Sequence, residues 1–448
     1  MNNSINEQDL CLFENDCDSR DMSSILRHTI TKNGINASCI DEDLLKSLSF
    51  TFSVDLETGA VCNQKQSGRC WLFAGLNVLR TILMKNLNVD DIELSQSYLQ
   101  FFDKLEKSNF FLESVIELAG EEPDSRLNMF MLDSGLGDGG HFVMFTNLVK
   151  KYGVVPIGVM PDLSVSTSTG ELNQVLTGYL AQAMMELREA KNKGASKLVL
   201  RRMKEGYLND VYRILSLSLG KPVPSFSFDY RSKDKEKTFH HIENITPKEF
   251  YEQYIKADLD QYVALCDSPL PRMKNFQKYT CHFVNNVEDG DPVIFFHAGL
   301  KAVKDATIRS LKAGEPVWFG SDVLAQSMRK EGYLASDILK TDSLFSLHNR
   351  MKKGDRLTYR TSFCNHAMTF TGVNLPDGER PNRWKVENSW GKDCGKNGYF
   401  VMNDAWFDDY VYEVFIRREF VDAEILKAYD ASSILEEDPF DTLWAEMK

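Results

Sequence analysis

Residues 61–76 read Val-Cys-Asn-Gln-Lys-Gln-Ser-Gly-Arg-Cys-Trp-Leu-Phe-Ala-Gly-Leu, and they place Cys70 where a thiol can act as a nucleophile. Gly68 forms turns readily. After it Leu72, Leu76, Leu79 and Leu83, with Val78 and Ile82 alongside, follow helical spacing. The pattern predicts a buried helix with Cys70 in its first turn. Unpaired backbone N–H groups and the positive end of the helix dipole favour a thiolate there. Gln64 lies six residues upstream, on a loop able to fold back over the same helix end. Its amide and the Cys70 N–H are candidates to donate to a developing oxyanion.

Read singly, Cys70 is another buried thiol and Gln64 a surface amide. The Gln-x5-Cys-Trp spacing changes that balance. Gly68, Cys70 and Trp71 match the thiol-peptidase pattern Cys-Gly-Ser/Ala-Cys-Trp/Tyr, with Arg69 at the Ser/Ala position and Ser67 replacing the first cysteine. Secreted enzymes use that missing cysteine in a disulfide, so its loss suits a reducing compartment.

A thiol nucleophile needs a base from elsewhere in the fold. Of the eight histidines, His366 has the most informative setting. It lies at the start of the alternating run Asn365 to Val373, which predicts a half-buried strand with the imidazole able to face a cleft. Trp384 to Gly391 reads as a second strand closing in a Trp-Gly turn. Asn388 there can accept the imidazole N–H and fix the tautomer, while Trp390 roofs the bond and excludes water. The chain order Cys, His, Asn is that of a known catalytic constellation. A core histidine and a turn asparagine are the bland readings, and the agreement of three local contexts outweighs them. His240 and His241 close the polar run Asp234 to Phe239 and are expected in a solvated loop, with no metal site.

With these motifs in place, the chain resembles the bleomycin hydrolase/aminopeptidase C family of papain-like cysteine peptidases. The resemblance rests on Asn63-Gln64-Lys65 with Ser67 to Trp71, and on Glu93 to Tyr98, Gly139-Gly140 and Tyr152 to Pro156. Glu315 to Val323 and the His366 and Asn388 blocks complete it. It implies an α+β, two-lobed papain-like fold with a large helical insertion and a C-terminal arm. Residues 1–164 would hold the N-terminal segment and the helical lobe, 165–290 the insertion, 291–430 the β-rich lobe and 431–448 the arm. Cys70, His366, Asn388 and Gln64 would be catalytic, and Gly139, Gly140, Asn365 and Trp390 would face substrate. No cofactor or metal is expected.

The insertion follows from spacing. His366 trails Cys70 by 296 residues (366 − 70), whereas papain-like enzymes place the histidine about 130–150 residues on. The inserted segment reads as a Ser/Thr-rich linker (164–170), helix from Glu171 to Leu219, a short strand over 222–230, and a helix capped by Thr246 and Glu249 that runs to about Ala257. In the resembling family such insertions build a homohexameric ring, some members of which bind nucleic acid. Residues 186–213 carry eight basic and four acidic side chains, but the net charge of −13 makes a solvated face the better reading than nucleic-acid binding.

The family's C-terminal arm enters the cleft, where its carboxylate meets the substrate's free amine and makes the enzyme an aminopeptidase. The usual Asp-Pro-Met-Gly and short small-residue end are replaced here by Asp438-Pro439-Phe440-Asp441 and a bulkier, longer end with Trp444. Aminopeptidase action on short peptides is therefore the first expectation. Endopeptidase action at the same site is the alternative, and a nucleic-acid-binding or scaffolding ring the rival from another class.

Bulk properties agree with a soluble enzyme. The 448 residues are 43% hydrophobic and 26% charged, ordinary values for a globular chain. No apolar run is long enough to span a bilayer. The acidic N-terminus lacks the features of a secretory signal, and the nine irregularly spaced cysteines fit no disulfide framework. A cytoplasmic location is expected.

Overall fold

The computed structural model describes residues 4–441 apart from 20–22, 135 and 349–350. Its centre is a twelve-stranded mixed sheet. Six consecutive members run antiparallel in the order Tyr262–Cys266, Val411–Arg417, Val317–Ser321, His366–Asn374, Arg383–Glu387 and Tyr399–Asn403.

Side chains alternate across a strand, so one strand can serve two cores. Trp318, Ala367, Tyr412 and Phe415 face the helical lobe, while Val317, Phe319, Met368, Phe370, Val411 and Val414 face the other side. That second side is closed by the helices Leu300–Lys312 and Asp404–Tyr410. The fold is accordingly α+β and two-lobed, as its papain-like pattern implied. The His366 strand departs from the half-buried expectation, because it is buried on both faces except at Asn374. Its alternating threonines do not reach water. Thr369 donates to the Ala74 carbonyl at 3.3 Å, tying the strand to the Cys70 helix.

The helical lobe is built on Cys70–Leu87, Gln96–Glu117 and Phe142–Tyr152. The first is apolar nearly all round, which is why it sits inside the domain rather than on it. Gly140 allows its closest contact: a Cβ there would lie 2.7 Å from the Trp71 ring.

The segment 165–290 contains the helices Gly170–Asn192 and Lys197–Leu219, broken at 193–196. Phe226–Arg231 then pairs with Phe239–Ile245 as a hairpin. His240 and His241 thus lie in a strand, correcting the loop expectation. The polar run before them is the hairpin connection, with Lys237 at φ 47°, and His240 stacks on Tyr230 at 4.6 Å. The Thr246–Glu249 capping box is present, but the helix it starts ends at Phe250 and continues as a π-turn to Ile255. Tyr262–Cys266, within the same segment, is a member of the central sheet.

The C-terminal arm is described to Asp441. Ile434–Glu436 pairs with Lys278–Thr280, Arg272 holds Glu437 at 3.0 Å, and Arg126 holds Asp438 at 2.9 Å. Phe440 packs on Phe130, and its carbonyl accepts from Arg360 at 2.8 Å. The arm is therefore clasped between the helix Arg126–Ser134 and the loop leading to His366. The bulky end with Trp444 lies outside the described residues. Among the described residues, no helix is long and apolar enough to cross a membrane, and no His/Cys/Asp/Glu group is arranged to hold a metal ion.

Candidate active site

Cys70 is the first residue of its helix. The cap residue before it, Arg69, makes no side-chain hydrogen bond to the first turn. The leading N–H groups thus keep the polarity that favours an anion beside Cys70.

Arg69 points the other way. Its guanidinium is buried, 2.9 Å from Asp162, and donates to Ser67 Oγ at 2.9 Å and to Gln100 at 3.2 Å. Arginine at the expected Ser/Ala position therefore braces the loop before Cys70 from beneath. Burial opposes the charge on Asp162, and Arg69 overcomes it, keeping the carboxyl below its ordinary value.

A second brace comes from the 136–140 loop. Asp138 accepts the Gly68 N–H at 3.0 Å and the Asn173 amide at 3.0 Å, and pairs with Lys104 at 2.7 Å. Its backbone carbonyl accepts the Trp71 indole N–H at 2.7 Å. Burial works against ionising Asp138, but Lys104 and the hydrogen bonds around it hold the carboxyl well below its usual range. Lys104 and Lys107 also donate to the carbonyls of Gly137 and Gly139. The glycine run is thus a loop fixed by two buried ammonium groups.

On the other lobe, His366 begins its strand opposite Ser321. Its Nε2 lies 2.8 Å from Asn388 Oδ1. With the amide oxygen accepting, the ring carries a proton on Nε2, and Nδ1 takes no part in that bond. Burial pushes the ring pKa down to about 4, with the Asn388 bond pulling it back up. Trp390 lies over the pair, its ring 4.8 Å from the imidazole, where it shields the hydrogen bond from water. Gly391, at φ +76°, makes the turn after Trp390 in a conformation that favours glycine.

Gln64 is stitched to the same strand end: its N–H donates to the Ser389 carbonyl at 2.8 Å, and Ser389 Oγ donates to its side-chain oxygen. One amide hydrogen goes to the Ser67 carbonyl at 2.6 Å. The amide has a second N–H that this bond leaves unused.

Of the eight singled-out residues, Gln64, His366, Asn388 and Trp390 are joined directly or through Ser389. The helix that begins with Cys70 packs on the His366 strand. Trp318, on the strand beside His366, donates to the carbonyl of Trp71 at 3.2 Å. Gly140 is packed beneath the Trp71 ring, and Gly139 turns its carbonyl to Lys107. Asn365 uses its side chain within the protein, donating to Asp322 and accepting the Val323 N–H at 3.1 Å. Sequence reading missed the supports Arg69, Asp138, Lys104, Lys107 and Asp162. Of these, Arg69 alone carried a local signal, by interrupting the expected Ser/Ala position.

Comparison with known proteins places these features in a family. Residues 4–444 match the model of the Peptidase C1-like family. Aminopeptidase C of Lactobacillus helveticus is 37% identical over 430 residues, covering 96% of this chain and 95% of that protein. Aminopeptidase C of Listeria monocytogenes is 40% identical over 410 residues, covering 92% of each. The crystal structure of PepW from Lactobacillus rhamnosis HN001 superposes with a TM-score of 0.95 at 40% identity, over 99% of both chains.

Proposed function

Because the chain belongs to the Peptidase C1-like family, we propose that it is a cysteine aminopeptidase that uses Cys70 to release N-terminal residues from short peptides. The His366–Asn388 hydrogen bond under Trp390, on a strand tied to the Cys70 helix, carries this reading.

In the proposed reaction Cys70 and His366 work as one unit. Burial alone makes an isolated imidazolium unfavourable at position 366. The charged ring is stable when a thiolate forms beside it, so the proton passes from sulfur to Nδ1 as the ion pair assembles. The thiolate attacks the scissile carbonyl, and Gln64 with the Cys70 N–H receives the oxyanion. Collapse expels the amine, which takes its proton from His366, and leaves a thioester on Cys70. Water, deprotonated by His366, hydrolyses that thioester and restores the thiol. Asn388 keeps the ring in the productive tautomer, and Gly139 and Gly140 offer backbone along the cleft.

Exopeptidase selectivity is assigned to the arm. Its clasp beside the His366 loop supports delivery of the following residues into the cleft. There a terminal carboxylate would pair with the substrate ammonium and block longer chains. Aminopeptidase C names two of the relatives. The test compares leucyl and N-acetyl-leucyl arylamides: hydrolysis confined to the free amine is expected, while equal cleavage would establish the endopeptidase alternative.

We further assign a cytoplasmic location and a homohexamer. All nine cysteines are free thiols, as a reducing compartment requires. Leu198, Tyr212 and Leu217 on one helix and Val175 and Met185 on its neighbour are exposed, apolar side chains that subunit contact would cover. Cell fractionation and sedimentation velocity test these assignments, and a monomer at micromolar concentration would contradict the second.

A further inference from the structure

Beside Trp390 lies a shallow surface cavity, wide open to solvent and of about 480 Å³, lined by Ser327, Arg329, Lys330, Glu331, Trp390 and Cys394. Its walls are two loops stitched together. Gly395 N–H donates to the Lys330 carbonyl at 2.9 Å, and a Cβ on Gly332 would lie 2.5 Å from the Gly395 Cα. The 328–332 loop is tightened in turn by Gly332 N–H donating to the Met328 carbonyl at 2.8 Å.

These loops carry a local positive charge. Arg329, Lys330, Lys392 and Lys396 stand against Glu331 and Asp393, a local excess of two positive charges in a protein of net charge −13. Arg329 and Lys330 are exposed. Elsewhere, many basic side chains near the site are committed: Arg69, Arg80, Lys104 and Lys107 are all in ion pairs. Among the described residues neither Arg329 nor Lys330 makes one.

Position gives these two cations a role. The leaving amine takes its proton from His366, and Trp390 covers that ring. Trp390 also lines the cavity, which puts its basic loops on a path open to the part of the substrate beyond the scissile bond. When a tripeptide loses its first residue, its free carboxylate lies only two residues past the cut. An extended chain advances about 3.4 Å per residue, so that carboxylate falls within roughly 10 Å of the bond being broken. Long, flexible basic side chains on a braced loop can meet it there.

We propose that this cavity is a leaving-side subsite in which Arg329 and Lys330 bind the C-terminal carboxylate of di- and tripeptide substrates. It deepens the aminopeptidase assignment and rests on it. The arm would measure the substrate from its amino end and the basic loops from its carboxyl end, so that short peptides with both ends free are preferred.

The experiment measures kcat/KM for leucyl-glycyl-glycine and for its C-terminal amide, in the wild type and in an Arg329→Gln/Lys330→Gln double variant, each within one preparation. Taking the ratio of acid to amide cancels any general loss of activity in the variant. A three- to tenfold preference for the free acid, about the size expected of partly exposed charge pairing, is predicted for the wild type. The ratio should approach one in the double variant, and also in the wild type at about 1 M salt. A wild-type ratio of one, or an unchanged ratio in the variant, overturns the subsite. Leucyl arylamide, which has no carboxylate, separates failure of the subsite from failure of the aminopeptidase assignment. If the wild type cleaves it but shows no acid preference, the subsite alone fails. If it cleaves neither arylamide nor peptide, the aminopeptidase reading fails and takes the subsite with it.

Discussion

Arg80 Nη2 lies 2.5 Å from Glu387 Oε1, and both side chains are buried. Arg80 is on the Cys70 helix, and Glu387 immediately precedes Asn388. The pair therefore joins the element that carries the thiol to the strand that orients its base. Arg80 also donates to the Ala60 carbonyl at 2.7 Å, anchoring the chain that leads to Gln64.

Breaking a buried pair strands one charge without its partner and typically costs about 3–5 kcal/mol. Arg80→Met is expected to destabilise the protein by that amount in urea unfolding. The Arg80→Met/Glu387→Leu double variant should recover a substantial part of the loss, because no lone charge remains. A single variant as stable as the wild type would remove the pair from this role.

Asn388→Ala bears on the base. The Asn388 bond raises the His366 pKa, so its removal lowers it. The imidazolium that protonates the leaving amine is then lost at lower pH, and the alkaline limb of the kcat/KM profile should move toward acid. The plateau is expected to fall by about one to two orders of magnitude. A reduced plateau with the alkaline limb unmoved would place the effect elsewhere than on the ring.

Asp138→Asn tests the brace beneath Gly68. The folded-state pKa of Asp138 is depressed, so its stabilisation is present above the ordinary carboxylate value near 3.9 and is lost as pH falls through the lower folded value. The stability gap between wild type and Asp138→Asn should be widest near neutrality and shrink as pH falls below about 4. Alkylation of Cys70 by iodoacetamide at neutral pH should also slow in the variant, since the Gly68 anchor is weakened. A gap that is constant with pH would show that the Asp138 charge is not involved.

Removal of residues 442–448 addresses the arm. The truncated enzyme is expected to gain cleavage of N-acetylated peptides and to lose affinity for free-amine substrates, read as a rise in KM. Unchanged exclusion of acetylated peptides would place the selectivity elsewhere in the cleft.

The parts of this site that sequence made legible are those with local signatures. Cys70 follows a turn glycine and opens an apolar helix, His366 opens an alternating strand, and Asn388 precedes a Trp-Gly turn. The supports have no such signature, because their partners are distant in the chain. Arg80 meets Glu387 across 307 residues, and Arg69 meets Asp162 across 93. Lys104 and Lys107 likewise find their acceptors about 30 residues on, in the carbonyls of the 136–140 loop. His240 and His241 depart from the loop expectation for a related reason: the charged run before them is only the hairpin connection, and pairing with Phe226–Arg231, earlier in the chain, sets where the strand begins. The double burial of the His366 strand was also hidden, since its threonines resemble solvent positions until Ala74 is placed opposite one of them.

Replacement of the proposed nucleophile tests the account most directly. Hydrolysis of leucyl arylamide by Cys70→Ser, compared with the wild type at equal protein concentration, is predicted to fall by at least about a thousandfold while the unfolding midpoint stays close to that of the wild type. A folded Cys70→Ser protein that retained activity within a few-fold of the wild type would contradict the assignment of Cys70.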